Sequence, residues 1–360
     1  MAVPDWPNSY GYNMFLFPVS KWVGGILYEH THRLVAAFVG VLVVALTRWL
    51  GGNRSRLPLI IIGLAEIVGG VLILKFVPGL QGAGHFLSGI GGVVLVAGLV
   101  WFRNNPAAKP LPLLGWVAFG LVQIQGLLGG LRVVLVNDSI GIFHGTLAQL
   151  FFVLLCVIAL LTSGWWLRFG SQLRTAESNS ILTRTALVAM SLIFGQLVLG
   201  ATMRHQHAGL AIPDFPLAYG KLWPATDPAS VQAYNAHRFE IESVKPITAL
   251  QIELQMAHRM IAFVILVAVT ICAVAARNSR FKATAYFWLG LVLTQALLGA
   301  STIWSNKAAD VATAHVVVGA LSLATGAMLT VILMPNLRLA RRLEQAPVTD
   351  LPLQPSRASG

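Results

Sequence analysis

Five histidines stand at the same end of five long apolar runs: His32, His85, His144, His258 and His315. Three follow a polar-x-x-x-Gly motif at nearly constant distance. Gly70 precedes His85 by 15 residues, Gly129 precedes His144 by 15, and Gly299 precedes His315 by 16. His32 and His258 open their runs from the same side and are followed directly by Arg33 and Arg259. An ionisable side chain at membrane depth is costly to desolvate, so five at one level point to a task. Imidazoles on facing bundle helices can hold haem iron. The macrocycle suits an apolar bundle, and its carboxylates want cationic partners near the interface, for which Arg33 and Arg259 are candidates. A compact copper or zinc centre fits less well. His30-x-His32 and His205-x-His207 are two-ligand fragments, and Glu29-His30-Thr31-His32-Arg33 is not the zinc-protease pattern.

The elements that must position these residues are membrane helices. The 360 residues are 56% hydrophobic and 11% charged, with mean hydropathy +0.73, far below the charge content of a water-soluble domain. Nine apolar runs are long enough to span a bilayer as helices: 34–50, 57–77, 84–102, 111–131, 140–162, 181–203, 257–276, 283–303 and 311–334. They are continuous rather than alternating, which excludes a barrel. The net charge of +12 falls in every second loop, through residues such as Arg54, Arg103, Arg168, Arg277 and Arg338. This positive-inside pattern puts the C-terminus in the cytoplasm and records topology, not a nucleic-acid partner. Cys156 and Cys272 lie within apolar runs and read as small buried hydrophobes. No cleavable signal peptide is visible.

The chain repeats itself. Pro4-Asp5-Trp6-Pro7 precedes Glu29-His30-Thr31-His32-Arg33, and Pro213-Asp214-Phe215-Pro216 precedes Gln255-Met256-Ala257-His258-Arg259. Inside the runs, Gln125-x-x-x-Gly129, Gln196-x-x-x-Gly200 and Gln295-x-x-x-Gly299 recur, with Glu66-x-x-x-Gly70 as an apparent fourth copy. Residues four apart share a helix face, so each motif sets a polar group beside a small one that permits close approach. The expected fold is an all-α integral membrane protein of two pseudo-symmetric helix bundles. The first half is 1–165, with outer loop 1–28 and a hairpin 57–103; the second is 176–340, with outer loop 204–255; a cytoplasmic tail covers 341–360. Glu29, one helical turn from His32, has Gln255 as its counterpart, which suggests that one half carries chemistry the other lacks.

At these residues the chain resembles the haem A synthase family, membrane enzymes that oxidise haem O to haem A. The resemblance is carried by Pro4–Pro7, Glu29–Arg33, Gln125 through His144 and Gln149, Gly200 through Gly220, Gln255–Arg259 and Gln295 through His315. It implies two four-helix halves, with haem O as substrate between His32 and His144 and an electron-carrying haem B between His258 and His315. It implies that Glu29 assists two hydroxylations of the haem methyl group, after which loss of water leaves the formyl group. Haem O synthase and terminal oxidase assembly factors are the implied partners, and the bacterial cytoplasmic membrane the location. Relative to the family pattern no helix precedes the first Pro-Asp turn, so an upstream start is expected, and hairpin 57–103 with Glu66 and His85 is extra. His32 pairing with His85 is therefore the alternative to His32 with His144. Some members of the family carry a cysteine pair in the outer loops; here the two cysteines are Cys156 and Cys272, within apolar runs. His205, His207 and His237 are expected to be solvated or near the haem carboxylates. The rival reading is a non-catalytic dihaem b-type electron-transfer protein. The electron acceptor and the oligomeric state, a homo-oligomer included, are left open.

Overall fold

A computed structural model describes residues 3–100, 106–107, 111–168, 180–237 and 246–334. The tail 341–360 and the basic residues Arg103, Lys109, Arg174 and Arg338 lie outside the described residues. The described chain is helical throughout, with two isolated β-bridges as its sole extended pairing. The long helices are α1 (Gly24–Gly51), α2 (Arg56–Phe76), α3 (Gln81–Leu99), α4 (Leu111–Leu135), α5 (Asp138–Thr162), α6 (Ser180–His205), α8 (Ala249–Ala275), α9 (Lys282–Trp304) and α10 (Ala309–Leu333), with a short α7 (Pro228–Ala236) between α6 and α8. Each of the nine apolar runs appears as a helix. Among the described residues, eight segments are long and apolar enough to cross a membrane, the first being Gly24–Phe76, in which α1 and α2 follow one another through a 3₁₀ turn. The protein is thus a multi-pass membrane protein.

Two helices begin well before their apolar runs. α1 starts at Gly24 and α8 at Ala249, so His32 and His258 sit more than two turns inside rather than at the helix entrance. The added turns are polar because their side chains bond to the preceding loop, as described below. Hydropathy registers that polarity as loop. At the other end of α1, Gly52 adopts φ 53° and releases the chain into the 3₁₀ turn. The fully buried Arg48 stays there because its Nη1 donates to Gly52 O at 2.6 Å.

Helix packing divides the molecule. In the second half α6, α8, α9 and α10 close a ring, each against the next, with α10 returning to α6. Its core stacks Leu182, Ala186, Ala189 and Ile193 of α6 against Trp288 of α9 and Leu323 of α10. Gly326 leaves the space that the buried Trp288 ring occupies. In the first half α1 packs on α4 and α4 on α5, and α5 meets α6 and α10 of the second half. Thr47 Oγ1 donates across to Gly115 O at 3.0 Å, tying α1 to α4 where a glycine brings the backbone close. In lipid there is no hydrophobic drive between helices, so close approach and interhelical hydrogen bonds supply this cohesion.

Helices α2 and α3 pack chiefly on each other and touch α1 and α4 lightly. Gly63 and Gly70 of α2 face Gly91 and Gly84 of α3, so that a Cβ at Gly91 would lie 2.8 Å from Gly63 O, and Gly98 of α3 packs on Ile60. This is close backbone packing through small residues. Glu66 accepts from Gln123 Nε2 of α4 at 2.5 Å, pinning the hairpin to the bundle.

Candidate functional site

The two Pro-Asp-aromatic-Pro segments fold identically. Asp5 accepts from the amides of Tyr10 and Gly11 at 2.7 and 2.8 Å, and Asp214 from those of Tyr219 and Gly220 at 2.7 and 2.8 Å. Both residue pairs are left-handed, Tyr10 and Tyr219 at φ 51° and 53°. That conformation is unfavourable for a bulky residue, and the carboxylate that collects both amides offsets it. Beneath each turn lies the arginine that follows the histidine. Arg33 donates to Asp5 O at 2.6 Å and Asn8 O at 2.8 Å. Arg259 donates to Asp214 O at 2.7 Å and Leu217 O at 2.8 Å. Arg259 uses both terminal nitrogens of its guanidinium for the two carbonyls, whereas Arg33 reaches both through Nη1 and keeps Nη2 for Val3 and Glu29. Both arginines therefore clamp the turn onto the histidine-bearing helix, a task the sequence did not disclose. Arg259 keeps a buried Nε without a partner.

Glu29 and Gln255 occupy equivalent places in a second bracket. Gln255 Oε1 accepts from Ile212 N at 2.7 Å and its Nε2 donates to Ile212 O at 3.2 Å. Glu29 Oε2 accepts from Val3 N at 3.2 Å, the equivalent amide. A carboxylate cannot donate to Val3 O, and Arg33 Nη2 does so instead at 3.1 Å while also pairing with Glu29 Oε1 at 3.0 Å. The difference between the halves is thus one of charge more than position: a neutral amide in one, a carboxylate–guanidinium pair, 22% exposed on the Glu29 side, in the other.

The Gln-x-x-x-Gly motifs are cradles for imidazoles. Gln125 Nε2 donates to His144 O at 3.0 Å and Gln196 Nε2 to His258 O at 2.7 Å, while Gln295 Nε2 lies 3.4 Å from His315 Nε2. Four residues on, the glycine admits the ring: a Cβ at Gly129 would meet His144 Cε1 at 3.3 Å, one at Gly200 His258 Cε1 at 3.4 Å, and one at Gly299 His315 Cε1 at 3.2 Å. Glu66 and Gly70 do not make a fourth cradle, because Gly70 faces Gly84 and Ser88 of the hairpin and no imidazole.

The rings of His258 and His315 face each other with centroids 6.5 Å apart. Two imidazole–metal bonds of about 2 Å each plus the inner half of each ring span about the same distance. His144, His258 and His315 each carry a buried ring nitrogen with no hydrogen-bond partner. The 6.5 Å separation fits a metal-bearing ring held between the two helices. His32 lies within electrostatic reach of His144, as does Arg132 of α4, a cation inside an apolar run. His85 is exposed on the hairpin, while its neighbour Phe86 packs on Trp6 with centroids 5.0 Å apart. His30 is fully buried, bonded to Ser9 Oγ at 3.1 Å and flanked by Phe17 and Trp22. His205 approaches Asp138 at 3.5 Å, His207 has φ 53°, and His237 ends α7. Among the described residues no three His, Cys, Asp or Glu side chains cluster as a conventional metal site.

Comparison with known proteins places this geometry. The profile of a cytochrome oxidase assembly protein family (COX15-CtaA) matches residues 85–327, about two thirds of the chain. A haem A synthase of Hyphomonas neptunium is 29% identical over 62% of each chain, and one of Bradyrhizobium diazoefficiens 25% identical over 70% of this chain and 67% of its own. A haem A synthase of Caulobacter is 32% identical over 39% of each. The chain thus spans less than two thirds of the length of several relatives it matches. Glu29, His32 and Arg33 precede the matched profile, and their equivalence to Gln255, His258 and Arg259 rests on the repeated bonds above. From the hairpin through α10, this chain belongs to the cytochrome oxidase assembly protein family.

Proposed function

We propose that the protein oxidises the methyl group of haem O to the formyl group of haem A for terminal oxidase biogenesis, in a bacterial cytoplasmic membrane with its Pro-Asp turns on the outer side. The observation that carries the reading is the repeated imidazole cradle, together with membership of the family. In this reading His258 and His315 hold a haem B that relays electrons, and His32 and His144 hold the substrate haem O. Bound haem supplies the redox chemistry. The electrostatic proximity of His32 to His144, and the light attachment of the hairpin that carries His85, favour that pairing over His32 with His85. Arg259 Nε is free to donate to a haem carboxylate, whereas Arg33 is largely committed to its turn. Haem O synthase and oxidase assembly factors are the expected partners.

Glu29 is the group assigned to chemistry, one turn from His32, where a carboxylate can accept a proton or stabilise developing positive charge. One observation favours the rival, a dihaem electron carrier: Glu29 accepts from the Val3 amide as the neutral Gln255 accepts from that of Ile212. Glu29→Gln separates the two readings because it copies Gln255. On co-expression with a haem O source, wild type should yield haem A on chromatography of extracted haems, and Glu29→Gln should yield haem O alone with unchanged protein recovery. Undiminished haem A from Glu29→Gln would assign Glu29 to the bracket only. No haem A from wild type, with b-type haem retained, would decide for the electron carrier.

A further inference from the structure

Resting on that reading of the first half, we propose that Arg132 and His205 form a carboxylate-binding corner that grips one propionate of the substrate tetrapyrrole. Arg132 stands on α4 three residues past Gly129, whose face admits the His144 ring; Gly141 stands on α5 three residues before His144. Both lie one turn, about 4.5 Å of helix rise, beyond the imidazole toward the Pro-Asp turns. His205, the last residue of α6, crosses from the second half and lies over Gly141. A Cβ there would overlap its ring edge, lying 2.7 Å from Nε2 and 2.9 Å from Arg132 Nε. Two nitrogen-bearing groups from different helices therefore converge on one bare stretch of backbone.

The corner's positive charge is the Arg132 guanidinium, with the Asp138 carboxylate 3.5 Å from His205 Nδ1 on its rim. Arg132 is half-buried and makes no hydrogen bond to any described residue. His205 is oriented through Nδ1 by Asp138, and Arg204 and Arg132 both act on it electrostatically. A partly desolvated guanidinium without an acceptor is costly, and a bidentate carboxylate is its natural complement. Arg132 also acts on His144, which places the corner and the axial position within one site. In the second half Thr302 stands three residues past Gly299 and Ala312 three before His315, so the corner has no counterpart there. A haem that only relays electrons needs no fixed rotation about its iron. A substrate does, because one methyl group among several must reach Glu29, and gripping one carboxylate edge sets that rotation.

The test uses the full-length His258→Ala/His315→Ala variant, which leaves the first-half site alone, in nanodiscs of phosphatidylcholine. It is titrated with haem B and with haem B dimethyl ester while the Soret band is followed. Haem B should bind about tenfold more tightly than its ester, and Arg132→Gln should bring the two within about twofold without changing the bis-imidazole spectrum. Arg132→Lys replaces Arg132→Gln if the latter does not fold, and should retain part of the preference. An unchanged acid-over-ester preference in the arginine variants overturns the corner while leaving the haem site standing. No Soret binding to the first half overturns both the corner and the substrate-site reading. If Arg132 matters only when phosphatidylglycerol is added as a competitor, the corner belongs to a lipid headgroup and the proposal fails.

Discussion

His258 and His315 stand inside a complete ring of four helices, whereas His32 and His144 stand on three, with a glycine-packed hairpin lying outside them. His258 is half-buried and backed by Gly200 of α6; His32 is exposed. Yet the turn and the arginine clamp agree between the halves to within about 0.1 Å in their bonds. The comparison teaches that the histidine-bearing entrance is a self-contained module. It is built from backbone carbonyls and amides of its own loop and does not depend on ring closure. What differs is added charge: Glu29 and Arg132 in the first half, against Gln255 and Thr302 in the second, while each half keeps an aspartate, Asp138 or Asp310, in the first turn of its last helix.

If the halves are separable haem sites, the largest effects come from their ligands. His258→Ala should abolish the second-half low-spin haem spectrum and leave first-half binding in a haem titration, and His32→Ala should do the reverse. A single substitution that removes both signals would break the division into two sites. Next in size is the bracket. Gln255→Ala strands the buried amide and carbonyl of Ile212 and should cost about 2–4 kcal/mol. Glu29→Ala acts on a partly exposed pair and should cost about 1 kcal/mol. Thermal unfolding in detergent measures both, and equal losses would mean that exposure does not distinguish the brackets. Smaller again is Gly299→Ala, whose Cβ would press on His315 Cε1 at 3.2 Å. The ring must then give by a few tenths of an ångström, weakening second-half haem binding several-fold in the same titration while first-half affinity is unchanged.

Much of this was legible in the sequence, and the gaps have a common cause. All nine spans follow from apolar run length, and of the two free cysteines Cys272 is buried as expected while Cys156 is half-buried. The start of α1 was missed by ten residues because Glu29, His30 and Arg33 spend their polarity on Val3, Ser9 and Asp5, partners 21 to 30 residues away that no periodicity reports. The Gln-x-x-x-Gly spacing was visible, but not that glutamine bonds the carbonyl of a histidine on the next helix. Arg33 and Arg259 were read as partners for a ligand because their acceptors are backbone atoms, which carry no residue signature. Arg132 hid within an apolar run. Its position three residues past a histidine-facing glycine was the signal available.

The smallest expected effect separates the two loops rather than the two sites. The first loop carries only 3₁₀ turns at Met14–Leu16 and Val19–Lys21. The second adds α7, entered at Pro228, with Tyr234 stacked on Tyr219 at 3.6 Å and Asn235 paired to both backbone groups of Ile247 at 2.8 and 3.0 Å. Its N-cap is Asp227, which accepts from Ser230 N at 3.0 Å and Ser230 Oγ at 2.6 Å. These bonds hold the carboxyl below the usual aspartate range, the Ser230 hydroxyl first and its amide second. A lowered folded-state pKa means that the cap contributes fully above about pH 4, the unfolded value. Its contribution fades as pH falls through the lower folded value. Hydrogen exchange across residues 230–236, corrected for intrinsic rates, should therefore be protected at pH 5 and progressively lost below pH 4. Asp227→Ala should show the faster exchange already at pH 5, with residues 3–23 unaffected. If the variant matches wild type at pH 5, Asn235 and the tyrosine stack hold α7 without its cap, and the second loop is as independent of its charges as the first.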